Sequence, residues 1–195
     1  MYIVLEGIDG VGKSSQIKLL REYLEKKDIS TKHIVEPTNS QIGQLIRNEL
    51  LKSDATEDIN QQMLALLFAA DRLTLKKEIL EAKNSSDKFI ISDRSFYSSI
   101  CYQNNSTVTT QWIRQVNIHT PKPDLTILLD LDEKESIKRC DGVETFENTD
   151  FLEKTRQNYL NLLQEESNMI KIDASQSIEK VHKDIIKIIK EKLKN

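Results

Sequence analysis

The sequence predicts an α/β fold in which a five-stranded parallel sheet is covered by helices on both faces. Three observations support this prediction. Short apolar segments alternate with longer segments whose apolar residues recur at helical spacing. A glycine-rich loop stands between the first apolar segment and the first helical one. Polar residues follow the predicted strands at their carboxyl ends, which is where parallel sheets bind ligands.

The glycine-rich loop is a phosphate-binding loop. Residues 2–5 form an apolar, β-branched run that predicts a buried strand, and apolar spacing predicts a helix over residues 13–27. Between them the chain reads Gly7-x-x-x-x-Gly12-Lys13-Ser14, a full match to the loop that binds nucleotide phosphates. The glycines let backbone N–H groups approach phosphate oxygens, and the helix dipole adds to the attraction. This arrangement is typical of the three-layer sandwich of P-loop NTPases.

The polar groups of this loop have predicted roles in binding ATP and Mg²⁺. Lys13 supplies positive charge to the β- and γ-phosphates, and the Ser14 hydroxyl is placed to ligate Mg²⁺. Asp9 lies in a loop that attracts anions, so its carboxylate needs a partner such as a magnesium-bound water or an acceptor hydroxyl. The alternative is a solvated loop aspartate. The loop residues predicted to bind ATP are Gly7, Asp9, Gly10, Val11, Gly12, Lys13, Ser14 and Ser15.

The rest of the chain alternates short apolar strands with amphipathic helices. Strands are predicted at 33–35, 89–91, 125–129 and 169–172, and helices at 41–52, 57–82, 97–119 with a break near 104–106, 133–139, 150–166 and 178–193. Thr56 is predicted to cap the helix over 57–82. That helix is apolar on more than one face, which predicts packing against the sheet and against a second surface, such as another subunit. The prediction is a single domain over residues 1–195.

Polar clusters after the predicted strands converge on one edge of the sheet. They are Glu36-Pro37, Asp93-Arg94, Asp130-x-Asp132 and Asp173-Ala174, which join the phosphate loop there to form one active site. Asp93 is placed to contact the magnesium shell or to orient an arginine. Arg94 is placed to bridge donor and acceptor phosphates and to neutralise developing charge. The alternative for this pair is a structural ion pair at a strand end.

Phe68 and Arg72 are four residues apart on one helix face and together suit a nucleobase. The aromatic ring can stack on the base, while the guanidinium donates to a carbonyl oxygen. Taken alone, Phe68 is more simply a core residue. Arg47, from the preceding helix, is on its own a surface arginine.

Composition limits the classes of partner. The net charge of −3 argues against a broad basic face for nucleic acid. The two cysteines, Cys101 and Cys140, lack metal-ligand spacing and are expected to be reduced thiols. No apolar run reaches membrane-spanning length, and the N-terminal run is too short for a signal peptide. A cytoplasmic location without membrane or nucleic-acid partners is therefore expected.

Several segments taken together resemble the thymidylate kinase family. They occur in the family's order and spacing, cover essentially the whole chain, and are 6–15, 36–38 with 46–47, 66–72, 93–95 with 98–99 and 102–103, 124–131 and 172–178. The resemblance implies phosphorylation of dTMP to dTDP by ATP with Mg²⁺, in a homodimer. The phosphate loop is shared with many kinases, whereas the segments Leu66-Leu-Phe-Ala-Ala-Asp-Arg72 and Asp93-Arg94-x-x-x-Ser98 to Gln103 are much more specific.

The resemblance also implies individual roles. Phe68 would stack on thymine, Arg72 would donate to its O4, and Ser99 with Gln103 would read the remaining edge. Arg139 would stack against adenine. The implied dTMP-binding residues are Asp9, Glu36, Arg47, Phe68, Arg72, Arg94, Ser99 and Gln103; the catalytic residues are Asp9, Lys13 and Arg94; and the metal-associated residues are Ser14, Asp9 and Asp93.

The chain departs from the family pattern in its arginines. Many members carry an arginine in the phosphate loop or in a short lid, which corresponds here to about residues 138–150. The loop has Gly10 and Val11 instead, and Thr145 stands at the common lid position, which leaves Lys138 and Arg139 as the lid-side cations. Since losing such an arginine costs about 10³-fold or more in other phosphoryl-transfer enzymes, weak to moderate activity is expected.

Three other functional hypotheses compete with dTMP phosphorylation. The first is phosphorylation of a different nucleoside monophosphate. Arg72 disfavours dCMP, because a hydrogen-bond donor cannot pair with an exocyclic amine. It does not disfavour dUMP, since the one methyl group by which dUMP differs from dTMP contributes only about 1–3 kcal/mol to discrimination. A nucleotide-binding switch without catalysis is an alternative from another class. A nucleic-acid-remodelling ATPase is disfavoured by the size and acidity of the chain.

Overall fold

The computed structural model describes residues 1–55, 57–139 and 149–193. Its sheet is five-stranded and fully parallel, as predicted, with the order β2-β3-β1-β4-β5. The strands are β1 Tyr2–Glu6, β2 Ser30–Val35, β3 Lys88–Asp93, β4 Leu125–Asp130 and β5 Met169–Asp173. Each strand extends one to three residues beyond its predicted bounds at one or both ends. The predicted α/β fold class is confirmed.

Helices flank the sheet on both faces. In the described part of the chain they are α1 Lys13–Glu25, α2 Gln41–Leu50, α3 Asp58–Thr74, α4 Lys76–Lys83, α5 Phe96–Tyr102, α6 Thr110–Val116, α7 Glu133–Ile137, α8 Thr149–Glu165 and α9 Ile178–Lys192. None of these helices combines the length and the apolarity needed to cross a bilayer. The predicted break within 97–119 separates α5 from α6.

The long helix predicted over 57–82 is wrong as a single element, because it divides into α3 and α4 at Leu75. The Thr74 hydroxyl donates to the carbonyl oxygen of Asp71 at 2.6 Å, and the N–H of Leu75 bonds to Arg72 O at 3.1 Å instead. This side-chain bond competes with the helical ladder and ends α3. The predicted cap, Thr56, lies outside the described residues.

The core has two layers because β1 alternates its side chains between the faces of the sheet. Ile3 and Leu5 pack into a large cluster, whereas Tyr2 and Val4 join a smaller cluster with Ile79 of α4. These four side chains are at most 2% exposed. A central strand buried on both faces explains why residues 2–5 are continuously apolar.

The strand register brings the functional segments together. Leu5 of β1 lies opposite Asp93 of β3, and Glu6 lies opposite Leu128 of β4. The carboxyl ends of these three central strands therefore meet at one edge, where the phosphate loop leaves β1.

Candidate active site

The phosphate loop takes a backbone shape that depends on glycine. Gly7, Gly10 and Gly12 have φ values of 140°, 78° and 92°. A Cβ on Gly7 would lie 2.5 Å from the carbonyl oxygen of Leu129 in β4, so no side chain fits there. A Cβ on Gly12 would meet nothing within 4 Å. Gly7 thus seats the loop against the sheet, whereas Gly12 serves the turn into α1.

Lys13 is buried in the loop and bonds mainly to neutral groups. Its Nζ donates to Gly7 O at 3.2 Å and to Ile8 O at 3.0 Å, and it lies 4.0 Å from Asp9 Oδ1. Burial and the nearby Arg94 lower the pKa of Lys13, while Asp9 acts in the opposite direction. A phosphate anion in the loop would stabilise the charged ammonium.

Ser14 and Asp93 meet where β1 and β3 lie side by side. The Ser14 hydroxyl donates to Asp93 Oδ2 at 3.2 Å. Hydroxyl and carboxylate oxygens suit Mg²⁺. Across residues 1–55, 57–139 and 149–193, no three His, Cys, Asp or Glu side chains group as a metal site, so Mg²⁺ here would take its remaining ligands from phosphates and water.

Asp9 is paired with Arg94, so the alternative of a solvated loop aspartate is wrong. Arg94 Nη2 donates to Asp9 Oδ1 and, at 3.0 Å, to the hydroxyl of Tyr102, which itself donates to Asp9 Oδ2 at 3.1 Å. Burial would raise the pKa of Asp9, but Arg94 and Lys13 outweigh it and lower that pKa to about 2. Arg94 has a φ of 77°, a left-handed conformation at the end of β3.

Two cavities open on either side of this ion pair. One, of about 640 Å³, is lined by the loop from Asp9 to Ser15, by Asp93 and by Arg139. The other, of about 450 Å³, contains every residue predicted to bind dTMP: Asp9, Glu36, Arg47, Phe68, Arg72, Arg94, Ser99 and Gln103. Asp9, Glu36 and Arg94 line both cavities.

Arg72 is held rigidly in the wall of the smaller cavity. It is 2% exposed; its Nε donates to Glu36 Oε2 at 2.7 Å, Nη1 to Asn117 Oδ1 at 3.1 Å, and Nη2 to Ser95 O at 3.0 Å. A guanidinium has five N–H donors, so two remain. Its Cζ lies 5.3 Å from the ring centroid of Phe68. Phe68 is half-buried and lines the cavity, so the core interpretation of that residue is wrong.

Ser99 and Gln103 place unused polar atoms in the cavity wall. They are 2% and 4% exposed, and the Ser99 hydroxyl and both amide atoms of Gln103 have no hydrogen-bond partner among the described residues. Leaving buried polar atoms unpaired costs free energy. The edge of a base bearing N–H and C=O groups would satisfy them.

Arg47 brings positive charge to the same cavity. Its Nη1 donates to Thr38 O at 2.6 Å and its Nη2 to Pro37 O at 2.5 Å, and it forms no ion pair within the described part of the chain. Asp71 anchors this loop by accepting from Thr38 N at 2.7 Å and from the Ser40 hydroxyl at 2.6 Å. An arginine bonded to neutral carbonyls keeps its charge available to an anion.

The structure gives site roles to two residues that the sequence analysis placed in a family segment without assigning them a role. Tyr102 bridges Asp9 and Arg94, and the Ser98 hydroxyl accepts from Arg94 Nη1 at 3.1 Å. The position of Tyr102, directly before Gln103, is the sequence signal that points to it. Arg139 lines the larger cavity and donates to Ala174 O at 3.4 Å. Thr145 lies outside the described residues.

Fold and site define a P-loop kinase that acts on a nucleoside monophosphate. The family model described as thymidylate kinase matches residues 5–185. A probable thymidylate kinase from Methanosphaera stadtmanae is 63% identical over 185 residues, which cover 95% of each chain. One from Methanobrevibacter smithii is 47% identical and covers 97% of this chain and 94% of its own. The chain belongs to the thymidylate kinase family.

A solved structure agrees with this assignment. The thymidylate kinase of Candida albicans superposes with a TM-score of 0.80 at 30% identity, covering 97% of this chain and 90% of its own. The predicted resemblance, fold and enzyme class are therefore confirmed. So is the predicted reaction of the family, phosphorylation of dTMP to dTDP in nucleotide biosynthesis.

Proposed function

We propose that this chain binds ATP in the larger cavity and dTMP in the smaller one, and transfers the γ-phosphoryl group between them. The observation that carries this proposal is the wall that the two cavities share. Because Asp9, Glu36 and Arg94 line both, phosphates held on either side would meet at Arg94. Positioning and charge neutralisation supply most of the catalysis in such transfers.

The proposed chemistry needs no protein base. An oxygen of the dTMP phosphate attacks the γ-phosphorus, the bond from that phosphorus to the β–γ bridging oxygen breaks, and ADP leaves. Lys13 and the loop N–H groups hold the β- and γ-phosphates, while Arg94 offsets charge on the transferring group. Ser14 and Asp93 would hold Mg²⁺, which would neutralise phosphate charge.

Base selection is assigned to the far end of the smaller cavity. Phe68 stacks on thymine, and Arg72 donates one of its two remaining N–H groups to O4. Ser99 and Gln103 pair with the remaining edge of the base. Arg47, with its unneutralised charge, attracts the monophosphate.

The test is ADP release with ATP and Mg²⁺, measured in parallel with dTMP, dUMP, dCMP and no acceptor. We expect release with dTMP to exceed release with dUMP, and none with dCMP. Omitting Mg²⁺ should abolish release. Bound ATP with no stimulation by any monophosphate would overturn the proposal and favour a nucleotide-binding switch.

We further propose that α3 contributes to a homodimer interface. Ile59, Met63, Leu66 and Leu73 recur at helical spacing and are 72%, 37%, 50% and 42% exposed. Light scattering should give twice the chain mass for the wild type and half that value for Leu66→Asp. Leu80→Asp serves as the control, because Leu80 is 41% exposed on α4 and outside this stripe.

The proposal also covers the cellular location of the enzyme and its division into domains. We place the enzyme in the cytoplasm as one domain over residues 1–195, with a lid at about 138–150. Cys101 is a buried free thiol, and reducing compartments such as the cytoplasm keep thiols in this state. Cell fractionation tests the location: activity in a secreted or membrane fraction would contradict it.

A further inference from the structure

Glu6 is a fully buried carboxylate that lines neither cavity. It ends β1 and is 0% exposed. Its Oε1 accepts from the Ser95 hydroxyl at 2.7 Å, and its Oε2 accepts from the hydroxyls of Ser98 and Tyr159, each at 2.7 Å. Three separate elements, β1, the start of α5 and α8, therefore meet at this one side chain.

The partners of Glu6 are all neutral hydroxyl groups. Within the described residues no lysine, arginine or histidine forms an ion pair with it. Three hydroxyl donors match the acceptor-only chemistry of an ionised carboxylate. Burying a carboxylate is costly unless it is compensated, and here three hydroxyl donors and the charge of nearby Lys13 compensate it. The carboxylate therefore ties β1 to α5 and α8, and two of its donors lead on to residues of the site.

One hydroxyl connects Glu6 to the reaction centre. Ser98 donates its only proton to Glu6, so its oxygen lone pairs are free to accept, and Arg94 Nη1 donates to that oxygen at 3.1 Å. The charge of Glu6 thereby fixes the direction of the Ser98 hydroxyl. Without it, the proton of Ser98 would be free to turn towards the Tyr159 hydroxyl, 2.9 Å away, or towards Arg94, and the oxygen would no longer be held in place as an acceptor for Arg94.

A second hydroxyl connects Glu6 to the base end of the cavity. Ser95 donates to Glu6 and accepts from Tyr97 N at 3.2 Å, which caps α5. The backbone carbonyl of Ser95 also accepts from Arg72 Nη2 at 3.0 Å. Helix α5 carries Ser99, and its C-cap is Gln103. Glu6 thus anchors the helix that presents the base-reading side chains.

We propose that Glu6 is a positioning residue for phosphoryl transfer, holding the Arg94 guanidinium at the junction of the two cavities through Ser98, with Tyr159 as the supporting donor. This inference rests on the proposed function. It assigns no contact with substrate to Glu6. Its effect is on the placement of Arg94, and a misplacement of about 1 Å costs about 10²-fold in rate.

The test is a double-mutant cycle on kcat with Glu6→Gln and Arg94→Lys. Glu6→Gln alone should lower kcat by about tenfold to a hundredfold and leave KM for ATP within about twofold. In the Arg94→Lys background, Glu6→Gln should lower kcat by less than about twofold, because the group it positions is already gone. Equal fold losses in both backgrounds would overturn the proposal, as would a folded Glu6→Gln enzyme with wild-type kcat.

A matched pair of tyrosines separates positioning from stability. Tyr159→Phe removes a hydroxyl that contacts both members of the link to Arg94, Glu6 at 2.7 Å and Ser98 at 2.9 Å, whereas Tyr97→Phe removes one that donates to Glu166 Oε2 at 2.8 Å, away from the site. Both should lower Tm, but only Tyr159→Phe should lower kcat. Should Glu6→Gln fail to fold, this pair decides the question: equal kcat for both variants would overturn the proposal. A wild type that lacks dTMP-dependent ADP release would instead count against the proposed function.

Discussion

Asp9 and Arg94, which are 85 positions apart in the chain, form an ion pair on the wall between the two cavities. The pair is completed by Tyr102, which contacts both partners and whose ring lies 4.7 Å from the Arg94 Cζ. An arginine paired in this way is held in place before any phosphate arrives. Placement before binding reduces the reorganisation required during catalysis.

The depressed pKa of Asp9 predicts an acid-resistant ion pair. With a folded pKa of about 2 and an ordinary value of 3.8, the stability contributed by ionised Asp9 is fully present above pH 3.8 and is lost as pH falls towards 2. The difference in unfolding free energy between wild type and Asp9→Asn should therefore stay constant from pH 8 to 5. Denaturant titrations at several pH values measure it; a difference that fades between pH 7 and 5 would contradict the pairing.

Arg72→Gln should make stability strongly dependent on pH. Burial raises the pKa of Glu36, and Arg72 acts against that rise. Without Arg72, the folded-state pKa of Glu36 lies further above its unfolded value, so the variant should lose stability as pH rises from 5 to 8. Removing one partner of a buried pair costs about 3–5 kcal/mol.

Arg47→Gln is the control for this experiment. Its guanidinium bonds to backbone carbonyls rather than to a carboxylate, so its loss should give a smaller and nearly pH-independent change. Urea denaturation at pH 5, 6.5 and 8 compares the two variants. Parallel pH profiles for both would show that the Arg72–Glu36 pair is not the cause.

Gln103→Leu should separate stability from substrate binding. Both amide atoms of Gln103 are buried without a partner among the described residues, so an apolar side chain should leave the free protein as stable or more stable. KM for dTMP should rise by about tenfold or more, because each lost hydrogen bond costs about 0.5–1.5 kcal/mol and its partner on the base stays unpaired. Thermal unfolding and dTMP titration test the two effects. A drop in Tm with unchanged KM would contradict the assigned role.

Two glycines of one loop should respond differently to alanine. At Gly7 the new Cβ would clash with Leu129 O, so Gly7→Ala should prevent folding or lower Tm severely. At Gly12 there is open space, and only backbone strain of about 1–2 kcal/mol is expected. Thermal melts of both variants make the comparison, and equal losses would argue against the contact with β4.

Thr145→Arg should raise kcat. The family resemblance places an arginine at this position in many members, and the resulting expectation is weak to moderate wild-type activity. Steady-state kinetics with ATP and dTMP test it, with KM for dTMP expected to change little. An unchanged kcat would mean that the missing lid charge does not limit the rate.

The sequence predicts the fold and the members of the site better than it predicts their partners. The loop motif and the strand alternation are local patterns, so β1, α1 and the sheet follow from them. The break after Thr74 depends on a single hydrogen bond from its hydroxyl to the carbonyl oxygen of Asp71. The spacing of apolar residues does not reveal this bond. The pairing of Asp9 with Arg94 and the three hydroxyl partners of Glu6 depend on contacts between distant segments, so only the folded chain reveals them.

The position of β1 at the centre of the sheet has a consequence for how the enzyme is made. Its two neighbours are β3 and β4, and the phosphate loop rests directly on Leu129 of β4. Although the loop is translated before β4, the surface of β4 on which it rests exists only after residues 125–130 have left the ribosome. A nascent chain released before that point therefore holds the complete nucleotide motif and no formed site, so we expect ATP to stabilise the finished protein and not its early fragments.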